Sequence, residues 1–338
     1  MKIKYLHALL IFMLFVTTTQ GQDVHFSQAY NNVVNVNPAA TAVLPYGIAR
    51  VSAAYRTQWS AVPVPYSTLN FNGELAHNWL PLRNINQGVG LTVYTDKAGD
   101  GNLKQTHVSL NNSFRKNVGD STCYVSVGSS VGYHQWSFDE SKLKFTSQFV
   151  GDQYSSGNSN NENFAKSSLR YLDINIGALG YKKINRSQLL AGIALQHVNK
   201  PIQSFNGVKN VLAYKSIFTL QATQTVSNSV QLIVNQYSAF QGKYNEQITS
   251  VRILKNIKII DGAPFNAMGG VMYRWKDAPI LAVGVDYRHV HAELSYDINT
   301  SGLKQATGGR GATEFFISYI IQLQKIKIPT RTTCPVYI

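Results

Sequence analysis

Charge is scarce in this chain. Only 14% of its 338 residues are Asp, Glu, Lys or Arg, against about a quarter in an ordinary soluble domain. Long hydrophobic runs are missing too: after the first 21 residues no stretch of ~18 apolar residues occurs, which excludes helical membrane spans. Sustained apolar positions at i, i+3 and i+4 are nearly absent, which excludes a mainly helical fold. Cysteine is limited to Cys123 and Cys334, leaving room for one pairing. What remains is aromatic and glycine-rich, with 19 Tyr, 15 Phe and 25 Gly. Low charge, many aromatics and no apolar block together fit a β-barrel, whose lipid face takes alternate residues and never forms a continuous run.

The first segment reads as a secretory signal peptide over residues 1–21. Lys2 and Lys4 precede a compact apolar run from Leu9 to Val16, and Thr19 and Gly21 supply small residues at −3 and −1 of a cut before Gln22. No Cys follows the cut, which argues against a lipoprotein. Losing two lysines takes the formal charge from +14 to +12. Export disfavours nucleic acid as the partner of this basic excess. An acidic surface polysaccharide, anionic lipid headgroups or an acidic protein fits better.

Period-two alternation recurs along the mature chain. Leu69, Phe71, Gly73 and Leu75 alternate with Asn70, Asn72, Glu74 and Ala76, and Leu172, Ile174 and Ile176 with Asp173, Asn175 and Gly177. Val108 and Leu110, then Leu189, Ala191, Ile193 and Leu195, then Val230, Leu232 and Val234 continue the pattern. Successive side chains of a strand point to opposite faces, so each row gives one apolar and one mostly polar side. Fourteen segments qualify: 46–58, 66–77, 87–96, 104–116, 122–134, 170–183, 188–198, 213–226, 229–240, 244–255, 265–276, 279–288, 290–299 and 312–324. Most are long enough to cross an outer membrane at a tilt. An even count returns both ends of the wall to one side. With that side periplasmic, the three longest links, 135–169, 199–212 and 300–311, all face outward, and the inward links are short except 255–264. Short periplasmic turns with long external loops are the rule for such barrels. The stretch 152–163 is polar and rich in Gly, Ser and Asn, an exposed loop rather than a domain boundary. Cys123 and Cys334 fall on the same, inward side, where they can pair or stand as separate thiols.

Chemical motifs are weak. Gly128-Ser129-Ser130-Val131-Gly132 matches the G-x-S-x-G pattern, but inside a strand, where small residues relieve crowding, not at a strand-to-helix elbow. Residues 96–102 (DKAGDGN) resemble a calcium loop only loosely, with Ala98 at a ligand position, and read better as a hairpin turn. His289 and His291 are two ligands at most, short of a zinc site, and read as turn histidines at headgroup level. No Ser and His have a spacing that singles them out. The expectation is a non-enzyme with no catalytic residue, cofactor or metal.

The mature N-terminus, Asp23-Val24-His25-Phe26-Ser27-Gln28, followed by Asn37-Pro38-Ala39, resembles the opening of the PorP/SprF family of outer-membrane proteins of type IX secretion. The resemblance continues through Tyr55-Arg56-Thr57-Gln58-Trp59 and Pro65-Tyr66-Ser67-Thr68. It ends with Ser295-Tyr296-Asp297, Ser301-Gly302-Leu303, Gly311-Ala312-Thr313-Glu314, where the family's His is Thr313, and Cys334-Pro335. It implies an accessory role in export or surface attachment of a secreted client, often a large adhesin such as those used in gliding. It also implies coupling to a periplasmic lipoprotein linked to peptidoglycan. Phe26, Ser27, Gln28, Asn37, Pro38, Tyr55, Arg56, Gln58 and Trp59 are the candidate partner-contact residues on this basis, with Arg56, Gln58 and Trp59 placed at an outer aromatic girdle.

The expected architecture is therefore all-β: a transmembrane antiparallel outer-membrane β-barrel of ~14 strands over 46–324, a periplasmic or lumenal N-terminal segment over 22–45, and a periplasmic tail over 325–338. The rival reading is an outer-membrane porin or transporter for small solutes or hydrophobic compounds.

Overall fold

A computed structural model describes residues 23–322, apart from 59–64, 81, 83, 100, 120–121, 156, 160–165, 206, 208 and 303. Trp59, Cys334 and the tail 325–338 lie outside the described residues. The strands are Ala49–Gln58 (β1), Tyr66–Ala76 (β2), Ile85–Ala98 (β3), Leu103–Asn117 (β4), Cys123–Ser137 (β5), Phe149–Val150 (β6), Gln153–Tyr154 (β7) and Ser168–Ile184 (β8). The rest are Ser187–Gln196 (β9), Lys215–Ser227 (β10), Val230–Gln241 (β11), Tyr244–Ile260 (β12), Ala263–Arg274 (β13), Ala278–Tyr287 (β14), Val290–Ile298 (β15) and Arg310–Ile321 (β16). All but the small β6–β7 hairpin close into one antiparallel barrel of fourteen strands, β1 pairing with both β2 and β16. Closure leaves no lipid-exposed sheet edge across the membrane, where an unpaired peptide group would cost several kcal/mol (about what its lost hydrogen bond is worth in hydrocarbon).

The alternating rows divide as their chemistry requires. Asn70, Asn72 and Glu74 of β2 are buried in the lumen while Phe71 between them is exposed on the outer wall. Asp173 and Asn175 turn inward from β8, and Leu172, Ile174 and Ile176 outward. Outward Phe218, Phe240, Tyr273, Trp275 and Tyr296 mark one aromatic belt, and Phe265, Tyr287 and Tyr319 the other. Tyr and Trp favour such positions because their rings are apolar and their tips can hydrogen-bond at the headgroups.

The connections sort by length. Four links at one rim are two-residue turns, 185–186, 228–229, 261–262 and 288–289, whereas the opposite rim carries 138–167, 197–214 and 299–309. The long-loop rim is the outward one. One expectation fails here. The inward link 255–264 is not a long loop: β12 runs on to Ile260 and turns through Asp261 (φ 47°) and Gly262 (φ 73°) into β13. Two left-handed residues make the turn whose twist suits a hairpin, and Asp-Gly is a preferred pair for it. A register shift between Asn256 and Lys258 hides the continuation, because a bulge breaks the alternation that marks a strand.

Cys123 opens β5 at the inward rim. Residues 23–45 do not hang in the periplasm. They run through the lumen as a turn, one helical turn at Val33–Val36 and a 3-10 turn at Pro38–Ala40. Inside the barrel, Ala29, Tyr30 and Val36 pack on Ala194, Ile217, Tyr237, Ile248, Met272 and Ile280, an apolar sector of an otherwise polar lumen.

Candidate functional site

The site is the contact between this lumenal plug and the barrel wall. Inward-facing positions of β1, β13, β15 and β16 bring Arg56, Arg274, Asp297 and Glu314 around Ser27. Arg56 reaches Asp297 at 3.1 Å and Glu314 at 3.3 Å, and donates to the Ser27 hydroxyl. Arg274 reaches Asp297 at 3.0 Å and the Ser27 Oγ at 2.8 Å. The Ser27 hydroxyl donates in turn to Asp297 at 2.8 Å, and the Ser27 backbone N–H to Glu314 Oε2 at 2.7 Å. Gln28 adds its own N–H to Glu314 at 3.2 Å and its side-chain amide to Ser295 at 3.0 Å. Ser27, Gln28, Arg56, Asp297 and Glu314 are all at most 2% exposed. Buried charges are costly unless paired and hydrogen-bonded, and here the plug supplies several of the bonds that the wall charges need.

A second cluster holds the middle of the plug. The Tyr30 hydroxyl and the Asn31 amide both bond Glu293, and the Arg252 guanidinium lies 3.4 Å from the centre of the Tyr30 ring while also meeting Glu293 at 3.4 Å. Asn35 and Asn32 bond Asn70, and Gln196 donates to the Asn35 carbonyl at 2.8 Å.

The Asn-Pro turn is fixed by its own chemistry. The Asn37 side chain accepts from Ala39 N–H at 2.9 Å, capping the 3-10 turn that Pro38 opens. Its amide donates to the Ala178 and Ile193 carbonyls at 3.0 and 3.1 Å. Ser126 donates to the Ala39 carbonyl and Ser113 to the Thr41 carbonyl, each at 2.7 Å. This close approach needs glycine on the wall. A Cβ on Gly128 would lie 2.6 Å from the Pro38 carbonyl, and one on Gly177 2.0 Å from Asn37 Oδ1.

Both ends of the plug are tethered as well. Near the inward rim, Ala42 N–H meets Glu74 at 2.7 Å, and Glu74 is paired with Arg50 at 2.7 Å. At the outward end, His197 lies between Asp23 at 2.8 Å and Asp173 at 2.9 Å. Burial works against the charged imidazole, but the two carboxylates outweigh it and push His197 up to about 9.

The residues singled out from sequence therefore separate. Phe26, Ser27, Gln28, Asn37, Pro38 and Arg56 converge in the lumen. Tyr55 points outward to the lipid, Gln58 lines the outward mouth, and Arg56 is not at the girdle because it alternates with Tyr55. Ser129 and Ser130 fall on opposite faces, bonded to Asn112 and Asn175. His289 sits in its turn, whereas His291 turns into the barrel onto Asp286 and Glu293 and not to the headgroups. Among the described residues, no group of three or more His, Cys, Asp or Glu has metal-binding geometry. Glu74, placed only as a polar-face residue, and Arg252, Arg274 and Glu293 were not singled out from the sequence as site residues. Their signal was a charge on the polar phase of a strand, which marks the lumen but not its contents.

Among solved structures, the chain is similar to a Pseudomonas aeruginosa FadL homologue, with 11% identity, TM-score 0.51, and 86% of this chain and 94% of that one covered. It is also similar to the toluene transporter TodX of P. putida, at 10% identity and TM-score 0.49, covering 87% and 95%. At such identities the likeness concerns the barrel fold alone. Among curated proteins no relative matches. The family model for the type IX secretion system membrane protein PorP/SprF matches residues 18–319. An outer-membrane barrel that carries this match over nearly its whole length belongs to the PorP/SprF family and is a membrane component of type IX secretion.

Proposed function

We propose that this protein is an accessory component that supports export or surface attachment of a particular secreted client, a large adhesin-like protein, without conducting it and without catalysis. The observation that carries this reading is the plugged lumen: residues 23–45 fill it and are hydrogen-bonded to the wall along their length. A barrel closed by its own N-terminus offers surfaces rather than a passage. Its outward loops would meet the client, and its inward turns a periplasmic partner such as a peptidoglycan-linked lipoprotein of the secretion machinery. The tail 325–338, with Lys325, Lys327 and Arg331, is a further candidate contact on the inward side.

The test is crosslinked purification from the native membrane, comparing wild type with a deletion of the gene for client display at the surface. Co-purification of a secreted client, and loss of that client from the surface in the deletion, is the expected result. Recovery of nothing but copies of this chain, with client display unchanged, would overturn the reading in favour of a porin or transporter. Deleting 326–338 without loss of the periplasmic partner would remove the tail from the contact.

A further inference from the structure

Strand β12 overshoots its neighbour at the inward rim. Its pairing with β11 ends at Val230 opposite Lys255, and the last backbone bond on that side runs from Asn256 N–H to the Ser229 carbonyl at 2.8 Å. On the other side β12 stays paired with β13 down to Ile260 opposite Ala263, but β13 meets β14 only from Phe265 onward. Ile257–Pro264 thus forms a two-stranded finger without backbone pairing to either adjoining strand.

Its two flanks differ. The β13 flank carries Pro264, which has no N–H to offer, and the turn is tied to its neighbours by Asp261, which meets Arg288 at 3.2 Å and the Tyr287 hydroxyl at 3.5 Å. Proline is a usual guard of a sheet edge. The β12 flank has no guard: no strand pairs with Ile257–Ile260 on that side, where alternate residues turn their N–H and C=O outward.

The side chains on this flank are unusual for a rim turn. Ile259 is 72% exposed and Ile257 51%. Ile259 pairs with Pro264, which lines the inward mouth of the barrel, so Ile259 lies on the lumenal face of the finger and lipid does not cover it. Lys255 and Lys258 are exposed and form no ion pair among the described residues, while the one acid of the finger, Asp261, is already paired with Arg288.

We propose that the β12 edge from Ile257 to Ile260 is a docking strand for an extended, acidic segment of a periplasmic protein. The segment would add to the edge through backbone hydrogen bonds, cover Ile259 with an apolar side chain, and place carboxylates against Lys255 and Lys258. Edge strands bind extended chains in this way, with the backbone giving affinity and alternate side chains the selection. Charge disfavours the chain's own tail as occupant, since Lys325, Lys327 and Arg331 would meet Lys255 and Lys258. The inference rests on the reading that the inward rim serves a periplasmic partner, and names the place.

The test places a photo-crosslinking benzoylphenylalanine at position 259 of the full chain in its native membrane, with Arg186 in another inward turn as the control position. An adduct at 259 but not at 186, mapped by peptide sequencing to an acidic segment of a periplasmic protein, is expected. The double variant Lys255→Glu with Lys258→Glu should cut its yield about ten-fold, because two attractive pairs become repulsive. Heat-modifiable gel mobility verifies that each variant barrel is folded. An adduct with lipid alone, one lost on deleting 326–338, one unmoved by the double variant, or none at all overturns the docking strand. Client display measured in the same cells separates the two readings: no adduct with display still dependent on the barrel sinks only this inference, whereas display independent of the barrel sinks the proposed function.

Discussion

Replacing Arg56 with Met should open the barrel without unfolding it. Arg56 is 1% exposed and is the cation that Asp297 and Glu314 share with the plug's Ser27. Met keeps much of the side-chain volume and removes the charge. Asp297 would retain Arg274 at 3.0 Å, and Glu314 no cation but the backbone N–H groups of Ser27 and Gln28 and the Asn32 amide at 3.5 Å. Breaking one partner out of a buried pair costs ~3–5 kcal/mol. Because Asp297 keeps its second arginine, the lower end of ~3 kcal/mol is the working figure. The wall is held by fourteen paired strands and the plug by side-chain bonds, so the cost falls on docking of the plug. Such a loss raises the undocked population about 100-fold. The assay is single-channel recording of refolded protein in a planar bilayer, with heat-modifiable mobility to verify the folded barrel. Wild type should be nearly silent and Arg56→Met should show frequent openings. Removing the acid too, in Arg56→Met with Glu314→Gln, should restore part of the silence, since a buried pair lost together costs less than one partner lost alone. A folded Arg56→Met barrel as silent as wild type would refute the reasoning.

Gly128→Val should act at the other end of the same plug, because its Cβ would lie 2.6 Å from Pro38; overpacking of ~1–3 kcal/mol should give intermediate openings, whereas Gly269→Ala, with nothing within 4 Å, should be silent. The charged His197 holds Asp23, and its pKa is raised from 6.5 to about 9. That contribution is complete below 6.5 and is lost as pH rises through about 9, so amide exchange at Val24 and Phe26, corrected for the base catalysis common to all amides, should quicken between pH 7 and 10. His197→Gln should flatten this dependence, and an unchanged slope would count against the tether. Cys123 and Cys334 are within reach of each other: five strand spacings of ~4.8 Å separate β5 from β16, and the thirteen residues after Ile321 span up to ~43 Å. Pairing predicts that maleimide labels neither thiol before reduction; labelling of both in untreated membranes would dismiss it.

Much of the fold was legible because lipid and lumen impose opposite chemistry on alternate residues. The row from Leu69 to Ala76 gave β2 its faces, and loop lengths gave the barrel its orientation. The end of β12 was not legible, since a bulge at Asn256–Lys258 shifts the phase and the isoleucines beyond it no longer alternate. The site was half legible. The segments Phe26–Gln28, Tyr55–Trp59, Ser295–Asp297 and Gly311–Glu314 stood out by resemblance, but sequence separates them by up to 287 positions and does not reveal that Ser27, Arg56, Asp297 and Glu314 touch. Arg56 was read as a girdle residue from its position along the strand. Its phase relative to Tyr55 decides otherwise.

Arg56 and Glu314 face each other across β1 and β16, the join where the first and last strands of the cylinder meet, and Asp297 lies one strand further on. The ring is therefore fastened at its join by ions whose missing hydroxyl and amide donors belong to residues 27 and 28. With the segment withdrawn, water entering the lumen would take the place of those donors, while the backbone pairing of β1 with β16 stands. The strands that close the ring therefore also carry the seat of residues 27 and 28, so the latch and the seam of this barrel are one place.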